Sequence, residues 1–189
     1  MVRIILNLYR KIFSMPWAAL VIFTASALSM ASAYILQFFF SVQPCALCLY
    51  QRVPFAVAVI LTALAIVAHV VTSYSGVDRR HKIGRFFLAL CAAAFLINTG
   101  IAIYHTGVEF HWWAQTDLCG VNPNLFASQD ASVESIRNAI MNTPVVPCDV
   151  REPLFFGMTI ANGNIFLSLA LSIFAFWTAF FPPARRILH

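Results

Sequence analysis

Charge is what this chain has least of. Asp, Glu, Lys and Arg make up 10% of its 189 residues, against about a quarter in an ordinary soluble domain. With 61% of the residues hydrophobic, too little polar surface remains to solvate a globule, so a water-soluble enzyme or nucleic-acid-binding domain is excluded. The G-x-G-x-x-G dinucleotide fingerprint and the C-x-x-C-H haem motif are both missing. Nor is there the apolar–polar alternation that a transmembrane β-barrel requires.

Long apolar runs are present instead. Pro16–Phe40, Leu49–Val71, Gly84–Tyr104 and Ile160–Phe181 each reach the roughly 20 residues needed to cross a hydrocarbon core. Without water to satisfy the backbone there, each run must be helical. The expectation is an all-α membrane protein: a single integral membrane domain over residues 1–189, built as a four-transmembrane-helix bundle. Basic residues set its orientation. Arg3, Arg10 and Lys11 precede the first run, Arg79, Arg80, Lys82 and Arg85 separate the second from the third, and Arg185 and Arg186 follow the fourth. By the positive-inside rule these mark the cytoplasmic side, and both termini lie there. The outer loops are then 41–48 and 105–159, the longer holding six of the seven acidic residues. The net charge of +5 is thus a topology signal. Ala31-Ser32-Ala33 imitates a signal-peptide cleavage site, but the apolar run continues through Phe40, and the first span is expected to stay.

On this topology four of the five cysteines face the oxidising side, where disulfides persist. Cys45 and Cys48 form a Cys-x-x-Cys pair where the first outer loop meets the second helix, and Cys119 and Cys148 lie in the long loop. Cys91, among Leu88, Ala89, Leu90, Ala92 and Ala93, reads as an inert packing residue. A structural staple between Cys119 and Cys148 would stabilise by roughly 3–4 kcal/mol. A zinc site using all four outer cysteines competes less well, because only one pair has the close spacing such sites favour. No metal is expected.

The Cys-x-x-Cys carries the chemistry. Such a pair can close a small ring and pass on two electrons by thiolate exchange. Pro44 suits a helix start, which puts Cys45 and Cys48 in the first turn, where free N–H groups favour a thiolate. Arg52 shares their face, four residues after Cys48. A charge just inside a membrane helix either snorkels to the headgroups or serves a thiolate or polar ligand, and the nearby cysteines favour the second. Tyr104, His105, Glu109, His111, Trp112 and Trp113 gather at the same level, the tryptophans reading as an interfacial belt. Between the loop cysteines, Asp130–Met141 carries Val133, Ile136 and Ile140 on one face, a short amphipathic helix lying on the outer surface.

Pro44-Cys45-x-Leu47-Cys48-x-x-Gln51-Arg52, four spans, inner termini and a second outer cysteine pair together resemble the bacterial DsbB family. The resemblance implies a dithiol:quinone oxidoreductase of the bacterial inner membrane, part of the system that keeps the periplasm oxidising. It implies that Cys119 and Cys148 exchange with a periplasmic thioredoxin-fold, DsbA-like dithiol oxidase. Cys45 and Cys48 would then pass the electrons to a quinone, ubiquinone or menaquinone, with Arg52 and His105 near it. Gln51 stands where some members have Glu, and Glu109 where some have Gln. Two readings compete: a vitamin K epoxide reductase-like protein, whose motif typically falls near its last helix, and a non-catalytic scaffold with a structural loop disulfide.

The orientation has a direct test. Reduced Cys119 and Cys148 should react with a membrane-impermeant thiol reagent applied to the outer face of sealed vesicles, and labelling only from the inner face would reverse the topology.

Overall fold

The computed structural model describes residues 13–14, 16–74, 80–114, 119, 147–149, 153–155 and 158–181. Among the described residues four helices are long and apolar enough to cross a membrane: α1 (Trp17–Phe39), α2 (Ala46–Tyr74), α3 (Arg80–Glu109) and α4 (Ile160–Phe180). A short antiparallel hairpin of β1 (Pro153–Phe155) and β2 (Met158–Thr159) leads into α4. The surface segment 130–141, expected as an amphipathic helix, lies outside the described residues, as do residues 1–12 and 182–189 with their basic clusters.

The bundle is sorted by size rather than by polarity. Its core contains Ala18, Ala19, Ala58, Ala65, Ala92, Ala175 and Ala179, filled between by Ile22, Phe55, Leu88, Phe95 and Leu171. Large apolar side chains such as Leu28, Phe38, Phe86, Ile97 and Phe166 point outward. Lipid is as apolar as leucine, so burying leucine between membrane helices gains little. Small residues let the backbones approach closely, and packing then supplies the attraction. Phe55 and Phe95 meet edge to face at 5.5 Å, wedging α2 against α3. Cys91 is fully buried in this core. It lies in a different cluster from the other four cysteines.

Helix α3 packs against both α2 and α4, whereas α1 leans chiefly on α2 and makes few contacts with α4. Polar bonds tie α3 to α4. Ser172 donates to the Ala92 carbonyl at 2.9 Å, and Asn98 Nδ2 donates to Ser168 Oγ at 2.7 Å. At the end carrying the basic residues, Arg85 donates to the Ala179 and Phe180 carbonyls. It thereby satisfies groups that the end of α4 leaves without helical partners.

Helix α3 runs a full turn beyond Tyr104, where the apolar run ended, and carries His105, Thr106 and Glu109 on helical backbone. It stops through a Schellman arrangement: Trp112 N–H donates to the Gly107 carbonyl at 2.8 Å, and His111 N–H to Val108 at 3.0 Å. His111 takes the left-handed conformation (φ 59°) that glycine usually fills there. The chain then folds back, so that Trp113 stacks on Tyr104 at 5.8 Å and its Nε1–H donates to the Tyr104 carbonyl at 2.9 Å. A Cβ on Gly107 would collide with that indole. Trp113 therefore fastens the helix end, a more specific duty than membership of an aromatic belt.

Interhelical hydrogen bonds in membrane bundles contribute modestly, so Ser168→Ala, which strips Asn98 of its closest partner, should cost about 1 kcal/mol. Thermal unfolding in detergent should show a lowered Tm with the helical spectrum unchanged.

Candidate functional site

Cys45 sits just outside α2 rather than inside its first turn, and this alters its chemistry. Its carbonyl accepts from Leu49 N–H at 3.2 Å, so Cys45 is the N-cap residue. Its sulfur accepts from Cys48 N–H at 3.4 Å, the position that a Ser or Asp oxygen fills in an ordinary cap. A thiolate there satisfies a backbone N–H and meets the positive end of the helix dipole. His105 of α3 approaches from the other side, with Nε2 3.5 Å from Cys45 Sγ.

Behind His105 runs a chain of amides and hydroxyls. Gln51 Nε2 lies 2.9 Å from His105 Nδ1, and Asn164 Nδ2 donates to Gln51 Oε1. Ser168 Oγ donates to Asn164 Oδ1 at 3.0 Å and accepts from Asn98 at 2.7 Å. The donors all point one way, so Nδ1 accepts from Gln51 and the proton of a neutral imidazole sits on Nε2, facing the Cys45 sulfur. The chain ends at Asn98 Oδ1, which is buried without a hydrogen-bond partner among the described residues. Every link can both donate and accept. The series can therefore reverse as a unit, with Ser168 then donating to the Asn98 carbonyl oxygen and the Asn98 amide nitrogen taking the position without a partner.

Glu109 completes the cluster from the last turn of α3. It is buried, with Oε1 3.7 Å from His105 Nε2 and Oε2 accepting from Thr159 Oγ1 at 2.6 Å. Thr159 also caps α4 by accepting from Asn162 N–H. One hydroxyl thus joins the hairpin, α4 and the acid.

The structure joins Cys119 to Cys148 in a disulfide with Cα atoms 5.3 Å apart and leaves Cys45, Cys48 and Cys91 as thiols. Cys119 and Cys148 are buried in one cluster with Cys45, Leu47 and Val108, against which Cys48 and Tyr104 pack. All four cysteines expected on the outer side therefore meet at one place. His105 joins them directly. Arg52 stands apart from the sulfurs, turned toward α1: it donates to Gln37 Oε1 at 2.8 Å and lies over the Tyr34 ring at 5.1 Å. That hold accounts for its charge without snorkelling to the headgroups.

A cavity of about 470 Å³ opens beside this cluster, lined by Cys45, Cys48, Gln51, Arg52, His105, Glu109 and Cys148 at its polar end. Met30, Ala33 and Leu36 of α1, Phe55 of α2 and Leu167 of α4 form apolar walls. It is lined by both α1 and α4, which make few contacts with each other. Asn164 and Thr159 are site members that sequence reasoning did not single out, whereas Gln51 and Glu109 were named there as departures from the family pattern. Asn164 carried a usable signal, being a polar residue within an apolar span.

Comparison with known proteins gives the family. The family model "Disulfide bond formation protein DsbB" matches residues 15–178. The chain belongs to the DsbB family. It is similar to Disulfide bond formation protein B of Herminiimonas arsenicoxydans, at 27% identity over 82% of this chain and 89% of that one. An uncharacterized protein of Rickettsia prowazekii (strain Madrid E) is 23% identical, covering 88% of this chain and 89% of its own. No solved structure matches. Membership in the DsbB family makes the chain a disulfide-forming membrane oxidoreductase.

The Cys48 side chain donates to Cys45 and holds its thiol well below the ordinary cysteine range. Burial opposes this, and His105 and the Cys48 N–H reinforce it. The thiolate is complete above that lowered value and is lost only as pH falls through it. Alkylation of Cys45 in the reduced protein should therefore persist to pH values far on the acid side of the ~8.5 typical of free cysteine. A rate profile centred near 8.5 would show that cap and imidazole do not act on the sulfur.

Proposed function

We propose that this protein is a dithiol:quinone oxidoreductase of the bacterial inner membrane that reoxidises a DsbA-like thioredoxin-fold protein in the periplasm. The observation that carries the reading is the cavity shared by both cysteine pairs: Cys45, Cys48 and Cys148 line it together with Arg52 and His105. Its size lies within the range of small-ligand sites, and a few convergent polar groups against apolar walls are their usual pattern.

The chemistry proceeds by exchange. A partner dithiol attacks the Cys119–Cys148 disulfide, leaves as a disulfide, and reduces this pair to two thiols. These reduce a Cys45–Cys48 disulfide in turn, and two electrons then sit on the Cys-x-x-Cys. Closing that pair again releases two electrons and two protons. A bound quinone supplies the acceptor for both, becoming quinol.

The residues of the site divide the remaining work. Arg52 and His105 are suited to hold quinone oxygens, while Met30, Leu36 and Phe55 enclose the ring and exclude water. His105 Nε2–H steadies the Cys45 thiolate, and Glu109 lies within reach of the same nitrogen to share a proton. The opening between α1 and α4 suits a substrate that arrives through lipid rather than water. One closed and one open pair correspond to the stage at which electrons are ready to leave for quinone.

Quinone reduction by purified protein, driven by a reduced thioredoxin-fold partner, tests this directly. Wild-type protein should turn over, and Cys45→Ser or Cys48→Ser should abolish turnover, because a single thiol cannot close the ring. Arg52→Met should raise the apparent quinone KM or slow its reduction by on the order of tenfold or more, the value of one charge-assisted hydrogen bond. Arg52→Lys should recover only part of that loss. A wild-type protein that cycles partner dithiols without reducing quinone would overturn the reading.

A further inference from the structure

We propose that the reduced Cys45/Cys48 pair and His105 form a redox-gated binding site for a borderline-soft divalent cation, best matched by zinc. The donor atoms of these three residues all lie within 4.8 Å of one another, so tetrahedral bonds of about 2.0–2.3 Å need only small side-chain adjustments. Two thiolates and one imidazole are a known zinc donor set, and the fourth position is then left to water or another oxygen. Here that position faces the cavity, with Glu109 Oε1 3.7 Å from the imidazole nitrogen.

Charge favours the same cation. Two thiolates neutralise a divalent ion, so the complex brings no net charge into this buried setting, where an unpaired charge would be costly. The surrounding groups also suit it. A metal on His105 Nε2 requires the ring proton on Nδ1, and that proton needs an acceptor. Rotation of the Gln51 side-chain amide presents Oε1 to Nδ1, and Asn164, Ser168 and Asn98 can reverse with it. In that reversed order Asn98 Oδ1 accepts from Ser168 and Nδ2 takes the position without a partner, so the reversal leaves the number of unsatisfied groups unchanged.

Binding is not a redox step: the cation meets the Cys45 thiolate and displaces the proton of the Cys48 thiol, which passes to solvent, and the sulfurs keep their oxidation state. Oxidation of the pair to a disulfide removes both thiolates and with them the site. Cys119 and Cys148, already joined to each other, take no part. The consequence for turnover rests on the proposed function, because a metal-held dithiol can neither close nor exchange. The binding itself does not depend on that function.

The test uses full-length protein in detergent, reduced under anaerobic conditions with a non-chelating phosphine, and Co²⁺ as a spectroscopic stand-in for zinc. One Co²⁺ per chain should bind with thiolate-to-cobalt charge-transfer absorption and tetrahedral ligand-field bands. Zn²⁺ should displace it, and oxidation of Cys45–Cys48 should abolish it. His105→Ala should weaken binding by on the order of tenfold or more, whereas the double variant Cys119→Ser/Cys148→Ser should bind Co²⁺ like wild type. Elution as a folded monodisperse peak controls for misfolding of each variant. Absence of the bands, unchanged affinity in His105→Ala, or loss of binding in the double variant would overturn the site. The last result would point to a four-cysteine site instead. Zn²⁺ should also inhibit quinone reduction over the same concentration range in which it displaces Co²⁺, and full turnover of the zinc-loaded protein would overturn the regulatory role. Should Co²⁺ bind as described to a protein that never reduces quinone, the site stands and the proposed function fails.

Discussion

A polar group carried into the hydrocarbon layer must find its partner within the protein, because no water is there to supply one. The inner faces of α2, α3 and α4 follow from that constraint. Asn98, Ser168, Asn164, Gln51 and His105 satisfy one another in series, and the series ends on the Cys45 sulfur. Polar side chains that would individually weaken a membrane span become a positioned support for one reactive atom. The low effective dielectric that makes an unpaired amide costly also strengthens each of these bonds and fixes the His105 ring.

The same economy shapes the bundle. Alanines bring the helices together, and the large apolar residues are left to face lipid. Because α1 leans on α2 and barely meets α4, one flank of the cavity lies between two helices that touch little. On the proposed function, quinone would reach the thiols along the membrane plane between α1 and α4, and a protein partner would reach them through Cys119 and Cys148. Arg52, clasped by Gln37 and Tyr34, marks the flank and links α1 to the reactive centre.

Much of this was legible from residue order. Four runs of the right length without alternation meant four helices, and Cys45-x-x-Cys48 was read at a helix start, where the structure has it. Less was legible where tertiary contact decides. Tyr104 closed an apolar run, yet α3 continues through Glu109, because Thr106 and Glu109 find partners in Asn162 and Thr159. Hydropathy counts those residues as an exit from the membrane, and packing keeps them helical. The amide series was partly visible: Asn98 and His105 lie two turns apart on one face of α3, and Asn164 and Ser168 one turn apart on α4. What one chain's periodicity could not supply was the rotation of α4 that brings those two faces together around Gln51. The shift of Cys45 from the first turn to the cap is a difference of a single residue. It nevertheless turns a sulfur near a helix dipole into one that directly accepts a backbone N–H.

The central claim is that Cys45 and Cys48, beside the cavity, form the pair that delivers electrons to quinone, with Cys119 and Cys148 one exchange further away. Its most direct test is the order in which disulfides appear. Fully reduced protein would be mixed with less than one equivalent of quinone, quenched at successive times with an alkylating agent, and its disulfides mapped by mass spectrometry. The account predicts that Cys45–Cys48 forms first and that Cys119–Cys148 follows only while both Cys45 and Cys48 are present. Formation of Cys119–Cys148 at the full rate in a Cys45→Ser/Cys48→Ser protein would contradict it.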